Sequence, residues 1–123
     1  AAAVADFKPQ KVASQKLKKH NGLDIIKLTP TEDILAHMGN HKKEQILIGF
    51  ALETENEIEN AKAKLKNKNL DGIVLNSLKD NDTGFSVTTN KITFIHNDLR
   101  TESFPLQSKL ACAHRIFEQI LSI

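Results

Sequence analysis

Two hydrophobic patterns alternate along the chain. Short segments rich in apolar residues cover residues 1–5, 44–52 and 70–78, and a shorter β-branched stretch covers residues 22–29. Such runs are typical of strands covered on both faces, so each of them predicts a strand. The longer segments between them carry apolar residues at helical spacing. This alternation of strand and helix predicts a parallel sheet with right-handed crossovers.

The first helical segment follows the second predicted strand. Thr29 is predicted as its N-cap, with Pro30 at the first helical position and Glu32 closing a capping box. Gly39 or Asn40 is expected to end the helix. The start and the end of this helix are therefore both predicted from single residues.

The clearest helical segment covers residues 53–69, with glutamates early and lysines late. This order of charge complements the helix dipole. Ile58, Ala61 and Leu65 form a narrow apolar stripe. The stripe predicts the face that packs against the sheet.

The last third of the chain predicts an antiparallel hairpin followed by a helix. Two apolar-rich segments flank Asn97 and Asp98, which are expected at the turn, and Ser108 is expected to cap the helix. One face of this helix is predicted to carry Leu110, His114, Phe117 and Leu121. The elements together predict an α/β fold: a Rossmann-like, mostly parallel sheet with flanking helices and an antiparallel edge hairpin.

Composition narrows the class of protein. The 123 residues suffice for one domain, and a net charge of +2 is too small to favour a broad nucleic-acid interface. Cys112 is the single cysteine, which excludes an internal disulfide. Without a membrane-length apolar run or a signal-peptide pattern, we expect a cytoplasmic protein with no membrane partner.

Because the chain enters an apolar strand without an initiator Met, we expect a fragment of a larger domain.

A dense group of lysines follows the first predicted strand, which runs into Asp6. The lysines are Lys8, Lys11, Lys16, Lys18 and Lys19. Ligands of parallel sheets bind beyond the carboxyl ends of the strands, so this group could hold a polyanion. A solvated loop is the alternative. Asp6 could likewise bind a sugar, a base or a metal ion, or only its own loop amides.

Two other pairs of side chains remain open to two interpretations. Lys64 and Lys68 share one helical face, either to bind phosphate or to complement the helix dipole. His37 and His41 have metal-capable spacing, but no third ligand is evident, which favours two exposed histidines near a helix end.

The third predicted strand brings a further candidate. Phe50 near its end is either a core residue or a ligand contact, and Gly49 would let a ligand approach the backbone closely. The chain contains no dinucleotide-binding glycine motif, no P-loop and no nucleophile elbow. The individual motifs therefore do not identify a reaction.

Six short stretches, taken in order, make the chain resemble a known family. They are AAAVADFKP, KLKK, TEDIL, ILIGFALET, KLKNKNLDGIVLN and the GF pair at Gly84 and Phe85. In this order they resemble the second half of the phosphopantothenoylcysteine synthetase domain. That domain is usually the C-terminal part of the bacterial bifunctional coenzyme A biosynthesis flavoprotein, also called the DNA/pantothenate metabolism flavoprotein. The resemblance implies that residues 1–123 are the C-terminal, nucleotide-binding portion of the synthetase domain.

The resemblance also implies a reaction, the ligation of phosphopantothenate to cysteine. CTP would activate the carboxylate as an acyl-cytidylate with release of pyrophosphate, and the amine of cysteine would then displace CMP. Mg²⁺ would accompany CTP, with no ligands assigned to it. Phosphopantothenate would contact the missing N-terminal half of the domain. No flavin is expected, because the family's flavin-binding decarboxylase domain is not in these residues.

The resemblance further assigns nucleotide contacts and one catalytic residue, Lys16. The nucleotide-binding residues are Asp6, Lys16, Glu32, Asp33, Ile34, Leu35, Phe50, Lys64 and Lys68. Residues 18–24 would form a mobile flap. We expect Lys16, Lys64 and Lys68 to converge on one triphosphate.

Assembly and alternative functions complete the expectations. Family members dimerise through strands in this half, so we expect a homodimer, with the hairpin of residues 90–106 as the candidate edge. The alternative function is a non-catalytic nucleotide-binding or regulatory α/β module. An electrostatic nucleic-acid binder is the least favoured.

Overall fold

The computed structural model describes residues 4–16, 25–77 and 88–123. The chain divides into two compact units, Ala1–Ile34 and Leu35–Ile123. Among the sequence-based expectations, the flap at residues 18–24 and the GF pair at Gly84 and Phe85 lie outside the described residues.

The described part of the first unit contains a two-stranded antiparallel ribbon. Strand β1 (Phe7–Pro9) pairs with strand β2 (Leu28–Pro30). The main chain continues the ladder on both sides, because Gln10 N donates to Lys27 O at 2.9 Å and Thr31 N donates to Asp6 O at 2.9 Å.

Two predictions for this unit are wrong. Within the described residues the first strand begins after Asp6, so Val4 and Ala5 do not belong to a strand as predicted; residues 1–3 of that prediction lie outside the described residues. Thr29 and Pro30 do not start a helix, because they pair with Lys8 and Phe7 in the ribbon. A residue in an extended ladder cannot also provide the first helical turn, so the next helix begins later, at Ile34.

The second unit carries a mixed sheet with helices on its two faces. Its elements in chain order are α1 (Ile34–His41, with its first residue in the first unit), β3 (Ile48–Glu53), α2 (Glu57–Asn67), β4 (Gly72–Ser77), β5 (Thr89–Asn90), β6 (Ile92–His96), β7 (Thr101–Ser103), β8 (Gln107–Ser108) and α3 (Lys109–Ile120). The sheet order is β3-β4-β6-β7, and β5 pairs with β8 in a separate ribbon. Strands β3 and β4 are parallel, whereas the ladders β4–β6 and β6–β7 are antiparallel. The α/β class is confirmed.

Helix α2 is the crossover between the two parallel strands. Ala61 and Leu65 are buried in one cluster with Ile73 and Leu75 of β4, and Ile58 packs against it partly buried. The apolar stripe predicted for this helix is therefore confirmed. Burial of this stripe against the sheet fixes the direction in which the lysines of α2 point.

Helix α3 packs on the face of the sheet opposite to that covered by α2. Cys112 is buried with Val74, Ile92 and Phe94, and Ser108 caps the helix by accepting from Ala111 N at 3.2 Å. The cap is as predicted. The predicted face with Leu110, His114, Phe117 and Leu121 is exposed in this chain.

The predicted hairpin at the sheet edge is also confirmed. His96 N donates to Arg100 O at 2.9 Å, and Asp98 Oδ1 accepts from Arg100 N at 2.9 Å. Leu99 completes the turn with a φ of 70°.

An ion pair joins the end of α1 to the start of β4. Lys42 Nζ donates to both carboxylate oxygens of Asp71 at 2.8 Å, and the side chains are only 15% and 18% exposed. Asp71 Oδ2 also accepts from Leu47 N at 2.8 Å, just before β3. One carboxylate thus ties α1, β3 and the entry to β4 together.

We predict that Asp71→Ala lowers the free energy of unfolding by about 2 kcal/mol, because it leaves a largely buried ammonium and a main-chain donor without their acceptor. Urea unfolding of the chain measures the change. Glu118→Ala is the control, since Glu118 forms a pair of the same 2.8 Å length with Arg115 but is 56% exposed. The control should lose less than about 0.5 kcal/mol. Equal losses in the two variants would contradict the role given to Asp71.

Candidate functional site

The first unit contains five of the nine predicted nucleotide-binding residues: Asp6, Lys16, Glu32, Asp33 and Ile34. Leu35, the next residue of the same stretch, is the first residue of the second unit. Asp6 and the stretch from Glu32 are brought together. Thr31 N donates to the main-chain oxygen of Asp6, and Thr31 Oγ1 donates to Ala5 O at 2.6 Å. The side chains of Asp6, Lys16, Glu32 and Asp33 are all exposed. The main chain of the ribbon therefore brings Asp6 next to Thr31, the residue that precedes Glu32 and Asp33.

Phe50 lies in β3 with its ring on the exposed face of the strand. Phe50 is 58% exposed, whereas Gly49 and Ala51 on the other face are buried. Alternation along the strand accounts for this difference. Phe50 is thus not a core residue, and its aromatic face is open to contact by a ligand.

Gly49 serves packing rather than the approach of a ligand. A Cβ built on it would lie 2.7 Å from Leu70 Cδ1 and 3.4 Å from Leu35 Cδ2. Leu70 is buried in the core, and Leu35 packs against that core partly buried. The close approach predicted at this glycine is therefore made by the protein itself, and Leu35 takes part in it.

Lys64 is held at the carboxyl end of β3 by two residues that no sequence pattern indicates. Its ammonium forms an ion pair with Glu53 Oε1, and Asn60 Nδ2 lies 3.4 Å from Glu53 Oε2. Asn60 Nδ2 also donates to Glu55 O at 2.9 Å. The sequence predicts Glu53 as an acid of the helix start, but it is the last residue of β3, so helical spacing could not indicate the pair.

Lys68 occupies the C-cap of α2. Its N–H donates to Lys64 O at 3.0 Å, so the four-residue helical spacing between the two lysines is retained. Its main-chain oxygen lies against Gly39 of α1, where any Cβ would overlap it. The backbone of Lys68 is thus fixed by packing between two helices.

The two histidines of α1 do not complete a metal site. Their rings stack with centroids 4.3 Å apart, and His41 Nδ1 donates to His37 O at 2.8 Å. Both are exposed, as the sequence predicted. Across residues 4–16, 25–77 and 88–123, no group of three or more His, Cys, Asp or Glu side chains is arranged to hold a metal ion.

Cys112 is a buried free thiol. Burial raises the pKa of its thiol, and Sγ donates to Asn90 O at 3.4 Å. The thiolate, rather than the thiol, is the reactive form. In the described part of the chain, no helix is both long enough and apolar enough to span a membrane.

Comparison with known proteins gives the family. The DNA/pantothenate metabolism flavoprotein C-terminal domain model matches residues 1–123. The chain is 51% identical over 124 residues to a cysteine/cysteine sulfinic acid decarboxylase from an unknown prokaryotic organism, covering 100% of the chain and 34% of the relative. It is 43% identical to the coenzyme A biosynthesis bifunctional protein CoaBC of Bacillus subtilis, covering 99% of the chain and 30% of that protein. The chain thus spans about a third of the length of these relatives.

Solved structures agree with this assignment. The C-terminal domain of a coenzyme A biosynthesis bifunctional protein CoaBC superposes with a TM-score of 0.74 at 37% identity, covering 97% of this chain and 50% of that one. The DNA/pantothenate metabolism flavoprotein from Streptococcus pneumoniae shares the fold, with a TM-score of 0.69, 20% identity, and coverage of 98% of this chain and 60% of that one. The chain belongs to the DNA/pantothenate metabolism flavoprotein C-terminal domain family, as the six stretches of its sequence indicated.

Proposed function

We propose that the protein containing this chain ligates phosphopantothenate to cysteine in coenzyme A biosynthesis, and that residues 1–123 supply its CTP-binding part. The observation that carries the proposal is the 43% identity to CoaBC of Bacillus subtilis across 99% of the chain. A nucleotide substrate and a single cysteine fit a cytoplasmic enzyme.

The proposed reaction has two steps. A carboxylate oxygen of phosphopantothenate attacks the α-phosphorus of CTP, and the bond to the β-phosphate oxygen breaks, which releases pyrophosphate. The amine of cysteine then attacks the acyl carbon, loses a proton and displaces CMP. Both steps move negative charge onto phosphate oxygens, so preorganised cations would lower the barrier.

Three lysines would meet this charge. Lys16 is proposed as the catalytic cation, and Lys64 and Lys68 would bind the triphosphate as point charges. The ion pair of Lys64 at the end of β3 supports this role, because ligands of parallel strands bind at that end. The convergence of the three lysines on one triphosphate stays a prediction.

The remaining contacts would recognise the nucleoside. Asp6 and Asp33 are acids and would repel phosphate, so we assign them to sugar hydroxyls or to the base, together with the main chain from Glu32 to Leu35. The exposed ring of Phe50 offers an apolar face to the nucleoside.

Mg²⁺ would enter as the companion of CTP. The described residues offer no cluster of three ligating side chains, and Mg²⁺ is often bound through substrate phosphates and water.

Two alternatives stand beside the ligase. The 51% identity to a cysteine/cysteine sulfinic acid decarboxylase favours decarboxylation of cysteine or its sulfinic acid by the whole protein. A nucleotide-binding or regulatory module without catalysis is the other. The three functions differ in what they require of CTP.

The full-length protein distinguishes these functions. With phosphopantothenate and cysteine, we expect phosphopantothenoylcysteine by mass spectrometry only when CTP is present, with one CMP released for each product. Release of CO₂ from cysteine or cysteine sulfinic acid alone, without CTP-dependent product, would favour the decarboxylase. Calorimetry that finds equal affinity for CTP, ATP and NAD without turnover would favour the regulatory module.

For Lys16→Gln in the full-length protein, we predict that product formation falls by about 100-fold or more, because a cation that stabilises transition-state charge is lost. Turnover assays and calorimetry with CTP measure the effect. Lys11→Gln is the control, since Lys11 is an exposed lysine of the same stretch without an assigned role. Unchanged turnover of Lys16→Gln would refute its catalytic assignment.

We also propose that the protein is a homodimer joined near the hairpin of residues 90–106. Strand β7 is the outermost strand at one side of the described sheet, and such strands present unpaired main-chain groups. Sedimentation of the full-length protein is expected to give a dimer. A monomer at high concentration would contradict this arrangement.

A further inference from the structure

Glu53 is a carboxylate with little exposure to solvent at the end of a parallel strand. Its side chain is 13% exposed, and it lies opposite Ser77 in the register of β3 and β4. A carboxylate removed from water requires charged or hydrogen-bonding partners. The residues that act as partners of the Glu53 carboxylate therefore indicate its role.

Two residues of α2 supply those partners. Lys64 pairs with Oε1, and the amide nitrogen of Asn60 approaches Oε2 at 3.4 Å. The same amide nitrogen donates to Glu55 O in the turn between β3 and α2. Asn60 thus fixes the turn as well as the carboxylate.

The pair is asymmetric in its access to solvent. The side chain of Lys64 is 46% exposed, far more than that of Glu53. An ammonium has three N–H donors, and the contact with Glu53 uses one of them. The outward directions remain available to an anion that arrives from solvent.

We propose that Glu53, supported by Asn60, is a positioning residue that holds the Lys64 ammonium ready for a nucleotide phosphate; this inference rests on the proposed function. A free lysine must lose the rotational freedom of its four-carbon stem when it binds phosphate. Here that freedom is restricted before the nucleotide arrives. Glu53 acts through Lys64 and does not itself contact the phosphate.

The neighbouring ion pair on α2 provides a matched control. Lys62 Nζ and Glu59 Oε1 are 3.4 Å apart, and Glu59 is 77% exposed. This pair lies on the same helix and has the same charges, but it involves no residue assigned to the nucleotide. Glu59→Ala therefore removes a glutamate partner of a lysine without touching Lys64.

Steady-state kinetics of the full-length protein test the inference. For Glu53→Ala we expect the KM for CTP to rise about threefold to tenfold with kcat nearly unchanged, because a partly exposed ion pair has a modest effect. Glu53→Gln should restore part of the affinity, since its amide oxygen still accepts from Lys64. Glu59→Ala should leave the KM for CTP unchanged.

A double-mutant cycle separates positioning from general stability. Glu53→Ala should raise the KM for CTP no further when Lys64→Ala is already present. If Glu53→Ala does not fold, Glu53→Gln and Asn60→Ala carry the same comparison, and each should raise the KM for CTP. A KM that stays the same or falls in the folded Glu53 variants would overturn the inference.

The outcomes also distinguish this inference from the proposed function. A wild-type protein without CTP-dependent turnover would overturn the proposed function and the positioning role with it. A wild-type protein that uses CTP, together with a Glu53→Ala variant of unchanged KM, would overturn the positioning role alone.

Discussion

The burial of Ala61 and Leu65 against β4 is the interaction on which the described site in the second unit depends. These side chains are 0% and 2% exposed, so the helix cannot rotate about its axis without exposing them to water. Lys64 directly precedes Leu65 and is therefore fixed on the adjacent side of α2. Because β3 and β4 are parallel, α2 must return along the sheet, and its side chains tilt towards the helix start. That tilt carries the Lys64 ammonium to the end of β3.

Features that arise within a few residues could be predicted from the sequence. The stripe of Ile58, Ala61 and Leu65, the Ser108 cap and the turn at Asn97 and Asp98 are local patterns, and the structure contains all of them. The helix start at Thr29 and Pro30 was predicted by the same local logic and is wrong. The reason is non-local: the ribbon partners Lys8 and Phe7 are more than twenty residues away in the chain, and no spacing rule includes them.

The candidate site divides along the same line. Spacing placed Lys64 and Lys68 on one helical face, and Lys68 N bonds to Lys64 O as that spacing requires. Glu53 was missed because it joins Lys64 across a strand–turn–helix connection, eleven residues away. The nucleotide roles proposed for Asp6 and Lys16 come from the family resemblance rather than from physical patterns, since an exposed acid and an exposed lysine in a polar stretch have no distinguishing periodicity. The resemblance to the family itself is confirmed by the match over all 123 residues.

A carboxylate beside a proposed phosphate-binding lysine needs a physical reason, since its negative charge repels an anionic ligand. A lone lysine attracts any anion, and a formal net charge of +2 adds only a weak overall attraction. Pairing with Glu53 compensates part of the charge of Lys64 and fixes the direction in which its side chain points. A small anion then gains little from Lys64 alone. A triphosphate that meets several cations at once gains from each fixed direction, because less freedom is lost per contact. A lysine with compensated charge and fixed geometry thus attracts anions less strongly, but it distinguishes better between a single anionic group and an extended polyanion.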